Sequence, residues 1–193
     1  MNGNTEKKML RQDMMRLRAE IPLATRHAAD EAICRAVLAH PAFAAAKQVF
    51  AYVAMPHEVH TQELLTACLD AGKNLALPVC NTVSHTMTFY RLDRMSELTT
   101  GAYRIPVPPV SDDRICNADS DTLVLLPMLA FDAEGYRLGA GGGYYDRFLA
   151  AHPDVKTIGL CYAYCGVEHL PHDEYDQKMQ TLVTEKRTED FHG

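Results

Sequence analysis

The sequence predicts an α/β fold: a mainly parallel sheet with helices on both faces and a helical pair at the amino terminus. Short runs of β-favouring residues alternate with segments of helical spacing, as in α/β proteins. These runs are apolar throughout, which is typical of strands buried on both faces. The chain has 193 residues, a length that suits one three-layer, Rossmann-like domain over residues 1–193.

The amino-terminal helical pair is predicted over about residues 6–39. In the first helix, residues 6–21, apolar side chains recur at helical spacing: Met9, Leu10, Met14, Leu17 and Ile21. Pro22 ends this helix, and His40-Pro41 ends the second, which begins near Leu23. The predicted buried side of the second helix consists of Ala28, Ile33, Val37 and Leu38.

The α/β body is predicted over about residues 47–185. Its strands are expected at residues 48–54, 74–79, 87–92, 122–126, 157–161 and 181–183. Its helices are expected at residues 61–71, with Gly72 as the C-cap, and at residues 143–151. Residues 93–121 contain several prolines and little periodicity, which predicts mostly loop. The polar tail, residues 186–193, is predicted to fray.

The charge balance argues against a nucleic-acid partner. The formal net charge is −6, whereas nucleic-acid-binding domains usually carry a basic excess. An acidic protein can still bind an anion through a few well-placed cations. The one locally basic segment is the first helix, and its charge alone favours a solvated helix face; its cations are Lys7, Lys8, Arg11, Arg16 and Arg18.

The cysteines and the hydropathy pattern predict a cytoplasmic protein that does not enter a membrane. The six cysteines form no Cys-x-x-Cys pair or zinc-ribbon pattern, so we expect reduced, mostly buried thiols. No apolar leader begins the sequence, and no apolar run is long enough for a transmembrane helix. A monomer is the default expectation.

The most informative segment is a glycine-rich turn between the strand at residues 122–126 and a helix, with the sequence YRLGAGGGYYD over residues 136–146. Glycines allow a close backbone approach to a ligand, and a helix amino terminus offers free N–H groups to an anion. The turn lacks the Lys-Ser/Thr of a Walker A loop and the third glycine of the dinucleotide fingerprint. It predicts either a phosphate cradle or a flexible turn without a ligand.

The neighbours of the turn favour the phosphate cradle. Arg137 supplies a cation suited to phosphate, while Tyr144 and Tyr145 supply flat surfaces and hydroxyl groups. Asp146, in the first turn of the helix, suits a Mg²⁺ ion bound to phosphate. A carboxylate at this position also stabilises a helix amino terminus, so both interpretations of Asp146 stay open.

The stretch LLPMLAFDAEGYRLGAGGGYYDRFL, residues 125–149, closely resembles the signature of the 5-formyltetrahydrofolate cyclo-ligases, also called methenyltetrahydrofolate synthetases. The match includes Pro127, the Ala-Phe-Asp of residues 130–132, Gly135, the glycines and Tyr-Tyr-Asp. The likeness extends over nearly the whole chain, through Lys7 and Arg11, residues 52–61 and the closing strands.

The resemblance implies a site for ATP, Mg²⁺ and a reduced folate. The ATP-binding residues would be Lys7, Arg11, Arg137, Leu138, Gly139, Ala140, Gly141, Gly142, Gly143, Tyr144 and Tyr145. The folate-binding residues would be Arg11, Val53, Glu58, Ala140, Gly141, Gly142, Gly143 and Tyr144. Arg137, Tyr144 and Tyr145 would be catalytic, and Asp146 would bind Mg²⁺. Glu58 is otherwise a surface acid that caps the helix beginning near Thr61.

The implied reaction is the ATP- and Mg²⁺-dependent cyclisation of 5-formyltetrahydrofolate to 5,10-methenyltetrahydrofolate, with release of ADP and phosphate. Phosphorylation of the formyl oxygen would activate an otherwise unreactive amide, and the protein would position the reactants and stabilise charge. No protein nucleophile is needed, so the cysteines receive no catalytic role.

Two positions depart from the family pattern. Arg104 and Val107 stand where the family has a Gly-Ile pair and a Glu, and Gln180 replaces an Asp that can help to hold the metal. Asp176 is a candidate substitute for that Asp, and we expect Mg²⁺ to depend mainly on Asp146 and the ATP phosphates.

Three other functions were considered. A non-catalytic folate- or nucleotide-binding relative is suggested only by the departures at Val107 and Gln180. A metal protein would need the pairs His57/His60 and His169/His172 to lie in helices. A phosphosugar isomerase or acyl-transfer enzyme could share the fold, and only the turn sequence argues against it.

Overall fold

The computed structural model describes residues 3–101 and 105–191. Its helices are α1 (Gly3–Glu20), α2 (Leu23–Ala39), α3 (Pro41–Ala45), α4 (Gln62–Asp70) and α5 (Tyr144–Ala151). Its strands are β1 (Gln48–Phe50), β2 (Asn74–Asn81), β3 (Thr86–Arg91), β4 (Thr99–Thr100), β5 (Pro106–Val107), β6 (Ile115–Cys116), β7 (Thr122–Pro127), β8 (Ala130–Phe131), β9 (Arg137–Leu138), β10 (Lys156–Leu160), β11 (Thr181–Val183) and β12 (Thr188–Asp190).

Eight strands form the main sheet in the order β12-β11-β10-β7-β1-β2-β3-β6. The five from β11 to β2 are parallel, and β12, β3 and β6 join antiparallel at the two sides. The prediction of a mainly parallel sheet is confirmed. The central strands are buried along their length, as their continuous apolar sequences require.

Helices cover both faces of the sheet, as predicted. The crossover through α4 leads from β1 to β2, and the one containing α5 leads from β7 to β10, in the opposite direction along the sheet. Because such crossovers are right-handed, α4 and α5 lie on opposite faces. α2 packs beside α4, while Phe148 of α5 contacts Phe50 and Phe89 on the other face, with ring centroids 6.1 Å and 5.0 Å away.

The directions of these two crossovers create a crevice between the carboxyl ends of β7 and β1. In open α/β sheets, ligands bind at such a topological switch point. α4 ends at Asp70 with Ala71 as its C-cap, and Gly72, the predicted cap, is the next residue, with the left-handed φ of +67° that commonly follows a helix. Within the described ranges, no helix is both long enough and apolar enough to span a membrane.

Several local predictions were wrong. The first strand ends at Phe50 because the chain then turns away, and the carbonyl of Tyr52 accepts a hydrogen bond from the Thr61 hydroxyl. On α2 the buried alanine is Ala29, not Ala28, and on α1 Met9 is 53% exposed.

The tail does not fray as predicted. β12 pairs with β11, and the Thr181 hydroxyl donates to the Asp190 carboxylate, so the polar segment completes the side of the sheet. The segment at residues 93–121 is mostly loop, as predicted, with three short strands and two 3₁₀ turns in its described part. The predicted departure at Arg104 lies outside the described residues.

Candidate active site

A cavity of about 1020 Å³ lies at the crevice between the carboxyl ends of β7 and β1. It brings together residues from α1, the loop after β1, β2, the glycine-rich turn and the loop before β11. Of the predicted site residues, the cavity is lined by Lys7, Arg11, Glu58, Arg137, Leu138, Gly139, Ala140, Gly141, Gly142, Gly143, Tyr144, Tyr145, Asp146 and Asp176. A groove of about 1100 Å³ between α2 and α4 contains none of these residues.

The glycine-rich turn is held open by arginines that bind its carbonyl groups. The Arg11 Nε donates to the Gly139 carbonyl at 2.8 Å, and the Arg147 Nη2 donates to the Gly142 carbonyl at 2.7 Å. Gly143 precedes α5 with a φ of +64°. Because carbonyl groups of the turn are occupied by cations, the turn and the start of α5 present N–H groups and positive charge to an anion.

Gly141 has a conformation that other residues rarely adopt. Its φ is +105°, and a Cβ atom there would lie 3.3 Å from the Arg11 Cζ. We expect Gly141→Ala to lower the free energy of unfolding by about 1–3 kcal/mol, because the new side chain strains the backbone.

Gly139→Ala is the matched control for this prediction. Gly139 lies in the same turn without a positive φ, and a Cβ atom there would meet nothing within 4 Å. Denaturant unfolding of both variants measures the difference, and an equal effect at the two glycines would contradict the prediction.

Arg137 is the most deeply buried cation of the turn, with 8% of the residue exposed. Its Nη1 donates to the Asp146 Oδ1 at 3.0 Å. Within the described ranges, its Nε and Nη2 atoms are buried and have no hydrogen-bond partner. Buried guanidinium donors without acceptors are costly, so this geometry is suited to an anionic ligand that supplies them.

Three cations of α1 face the body, namely Lys7, Arg11 and Arg18, whereas Lys8 and Arg16 are exposed. The solvated face that charge alone favours is therefore confirmed only for Lys8 and Arg16. Lys7 forms an ion pair with Asp176, and its Nζ lies 3.7 Å from the Asp173 Oδ2. Arg18 is fully buried. Lys7, Arg11 and Arg18 follow the i, i+4, i+11 spacing of one helix face. Compared with the spacing of the apolar residues, this is the sequence signal that could have identified the side of α1 that faces the body.

Asp146 lies in the first turn of α5, as predicted. Its Oδ1 accepts hydrogen bonds from Arg137 and from the backbone N–H of Gln177, at 3.0 and 3.1 Å. For Oδ2 no hydrogen bond is found among residues 3–101 and 105–191. Asp176, next to Gln177 in the chain, also lines the cavity. Carboxylate oxygens beside a phosphate site are the donors that Mg²⁺ takes, so this pair fits the ion.

Gln180 lies elsewhere, at the amino end of β11. Its side chain accepts from the Thr157 N–H at 3.2 Å and donates to the Val155 carbonyl at 3.3 Å. It does not line the cavity, and neither does Val53, a partly buried residue that packs against the core. The site therefore forms without these two predicted residues.

The aromatic and acidic residues form the other wall of the cavity. Glu58 is buried, and its carboxylate accepts from the Met55 N–H at 2.9 Å rather than capping α4. Burial raises the pKa of Glu58 above its usual value. Burial also raises the pKa of Tyr145, with a smaller contribution from the nearby Glu58 charge. Tyr144 packs under Arg147, whose Cζ lies 5.3 Å from the ring centroid.

The histidine pairs do not form the metal site that was considered. None of His57, His60, His169 and His172 lies in a helix. In the part of the chain that the structure describes, one group of potential ligands comes together, namely Asp132, Glu134 and His169. It lies outside the cavity, and the Asp132 carboxylate already accepts hydrogen bonds from three backbone N–H groups.

Sequence reasoning missed part of the cavity. The additional lining residues include Met55, Cys80, Met87, Met128, Leu129, Arg147 and, apart from the predicted Asp176, the loop at residues 171–177. Most of these are apolar or lie in irregular segments, where no spacing rule marks a site. Arg147 follows Asp146 directly, but its role in holding the turn depends on the folded position of the Gly142 carbonyl.

The fold and the cavity define an α/β protein with a glycine-rich turn, suited to an anion, at the carboxyl edge of its sheet. A family model described as the 5-formyltetrahydrofolate cyclo-ligase family matches residues 3–185. The chain belongs to this family, which confirms the resemblance seen in the sequence.

Individual relatives agree with the family assignment. The chain is 32% identical over 179 residues to a 5-formyltetrahydrofolate cyclo-ligase of Escherichia coli strain K12, covering 91% of this chain and 96% of that protein. It is 30% identical over 170 residues to a probable 5-formyltetrahydrofolate cyclo-ligase of Schizosaccharomyces pombe, covering 80% of this chain and 83% of that protein. The solved structure of 5,10-methenyltetrahydrofolate synthetase from Aquifex aeolicus matches with a TM-score of 0.83 at 30% identity, over 97% of this chain and 93% of that one.

Proposed function

We propose that this chain cyclises 5-formyltetrahydrofolate to 5,10-methenyltetrahydrofolate with ATP as co-substrate. Family membership supports the folate reaction. The observation that carries the ATP proposal is Arg137, a buried guanidinium beside the glycine-rich turn with two nitrogens that lack partners among the described residues. A triphosphate would supply the missing acceptors and match the cations of Lys7 and Arg11.

The reaction proceeds in two steps. The formyl oxygen attacks the γ-phosphorus of ATP, so an O–P bond forms while the bond to the ADP oxygen breaks. N10 of the folate then attacks the activated formyl carbon, the C–O bond breaks, and phosphate leaves. N10 also loses its proton, which leaves the 5,10-methenyl bridge.

The residues of the cavity divide the work of binding and charge stabilisation. The N–H groups at the turn and the Arg137 guanidinium lie where charge builds on the transferred phosphoryl oxygens. Lys7 exchanges its ion pair with Asp176 for the nucleotide phosphates. Tyr144 and Tyr145 flank the reacting groups and exclude water. Asp146 and Asp176 would hold Mg²⁺, which would neutralise phosphate charge.

Glu58 is proposed to bind the N–H groups of the pterin ring, which are donors that suit a carboxylate. Since burial raises the pKa of Glu58, the carboxylate takes up a proton at a higher pH than usual, and it then loses its negative charge and one of its acceptor oxygens. We expect the affinity for 5-formyltetrahydrofolate to fall as the pH is lowered through this raised pKa.

Glu58→Gln tests this pH dependence. The variant keeps the shape of the side chain but has no proton to take up, so its affinity is lower and varies less over the same acidic range. Calorimetric titration of 5-formyltetrahydrofolate at several pH values measures both proteins. Parallel pH profiles for the two proteins would contradict the proposed role of Glu58.

The function itself is tested by mixing the purified protein with 5-formyltetrahydrofolate, ATP and Mg²⁺. We expect the near-ultraviolet absorbance of the methenyl product to grow, and to stay flat without ATP. Folate binding without turnover would instead support a non-catalytic relative. Absence of both turnover and binding would refute the proposed function.

The remaining proposals concern the location, the oligomeric state and the partners of the protein. A cytoplasmic location, a monomeric state and the absence of a nucleic-acid partner stay predictions, based on the composition and the acidic charge balance. Size-exclusion chromatography with light scattering tests the monomer.

A further inference from the structure

Arg18 is a buried cation that the proposed reaction does not use. The residue is 0% exposed, and in the described part of the chain no carboxylate lies within ion-pair distance of it. Its guanidinium instead donates to backbone carbonyls and thiols. The acceptors are the carbonyl oxygens of His57, Met128 and Leu129 and the sulfur atoms of Cys161 and Cys165.

These acceptors belong to three segments that leave the same edge of the sheet. His57 follows β1 and precedes Glu58. Met128 and Leu129 follow β7 and line the cavity, while Cys161 and Cys165 follow β10. Because parallel strands end at a common edge, one planar guanidinium can bind all three segments at once.

Two thiols accept hydrogen bonds from the Arg18 guanidinium. Cys161 and Cys165 lie with their sulfur atoms 3.2 and 3.3 Å from Arg18 nitrogens. A hydrogen bond from Cys161, assisted by the Arg18 charge, lowers the pKa of Cys165 to about 7. The pKa of Cys161 is raised by burial, so Cys165 is the more acidic thiol of the pair.

We propose that Arg18, paired with the thiols of Cys161 and Cys165, is a positioning residue that sets the distance between the two walls of the folate half of the cavity. One wall carries Glu58, next to His57, and the other consists of Met128 and Leu129. The proposal rests on the proposed function, because it assigns these walls to the folate.

The nucleotide half has separate supports. Arg11 holds the Gly139 carbonyl, and Arg137 binds Asp146. Arg18 donates to no residue of the glycine-rich turn. Loss of Arg18 should therefore affect folate binding more than ATP binding.

Arg18→Lys is the first test. Lysine keeps the positive charge, but its three donors on one atom cannot satisfy acceptors in three segments, so the walls shift. We expect the KM for 5-formyltetrahydrofolate to rise by at least roughly tenfold, since small displacements of positioning groups have effects of this size. The KM for ATP should change much less.

Val37→Ala is the control for general destabilisation. Val37 is fully buried on α2 and does not line the cavity. It should lower the Tm without changing either KM. If Arg18→Lys behaves in the same way, with a lower Tm and an unchanged folate KM, Arg18 is only structural and the proposal is overturned.

Cys165→Ser keeps the proposal testable if Arg18→Lys fails to fold. The serine hydroxyl still accepts a hydrogen bond, but it lacks the acidity of the Cys165 thiol beside the guanidinium. We expect a smaller rise in the folate KM, of several-fold, and an unchanged value would overturn the proposal.

Failure of the proposed function would be visible in the unmodified chain, as absence of both turnover and folate binding, and would overturn the positioning role with it. Failure of the positioning role alone would leave wild-type turnover intact, with equal folate KM values in the variants.

Discussion

Arg137→Ala should reduce kcat/KM for the cyclisation by roughly 10³-fold or more, the range seen when a charge-stabilising group is lost from a phosphoryl-transfer site. The guanidinium is buried and is held by Asp146, so alanine removes both the charge and the donors that we propose face the phosphates. The loss should fall mainly on kcat, because charge on the transferred oxygens grows toward the transition state.

Arg137→Lys and Arg35→Ala are the comparison variants for this experiment. Lysine restores a charge without the planar fork, so we expect only partial recovery. Arg35 is exposed on α2, away from the cavity, and its loss should leave turnover unchanged. Steady-state kinetics, with circular dichroism to confirm folding, measures all three. A folded Arg137→Ala protein with near wild-type kcat would refute the role of Arg137.

Asp146→Ala should change the Mg²⁺ dependence of turnover. Mg²⁺ held with the nucleotide loses its main protein carboxylate, so we expect the half-saturating Mg²⁺ concentration to rise by at least roughly tenfold. The same change leaves Arg137 without its ion-pair partner, and kcat should fall as well.

Asp146→Asn separates the two effects. An asparagine oxygen can still accept from Arg137 and from the Gln177 N–H, so the geometry is kept while the metal-binding charge is lost. We expect the Mg²⁺ shift to persist and the fall in kcat to be smaller. Asp121→Asn, at an exposed pair with Lys47, is the remote control. Unchanged Mg²⁺ dependence in Asp146→Ala would show that the ion does not depend on this carboxylate.

The sequence predicts the sheet well because its central strands carry a simple signal. The uninterrupted apolar run at residues 122–126 identifies a strand covered on both faces, and β7 is that strand. The tail is different: its polar residues read as frayed, yet β12 forms because β11 offers an open side with unpaired backbone groups. Pairing of this kind depends on tertiary structure, which no local composition reports.

The candidate site was predictable where chemistry and spacing coincide. The glycine-rich turn and Asp146 meet in the cavity, as their order in the chain suggests. Gln180 does not line the cavity. It matches a ligand position of the family in sequence, but it lies at the amino end of β11 and its side-chain amide is already hydrogen-bonded. The sequence did not predict the role of Arg18, because its partners are carbonyl and thiol groups of distant segments. A basic helix considered alone predicts a solvent-exposed face.

The ion pair between Lys7 and Asp176 joins positions 169 residues apart, near the two ends of the chain. During synthesis the amino-terminal helix emerges first, but its cations have no completed cavity until the loop at residues 171–177 has left the ribosome. A nascent chain that lacks this loop therefore cannot form the whole of the proposed nucleotide pocket. Ligands that fill the pocket would contact both α1 and the loop at residues 171–177, so their binding favours the folded protein in which both segments are in place.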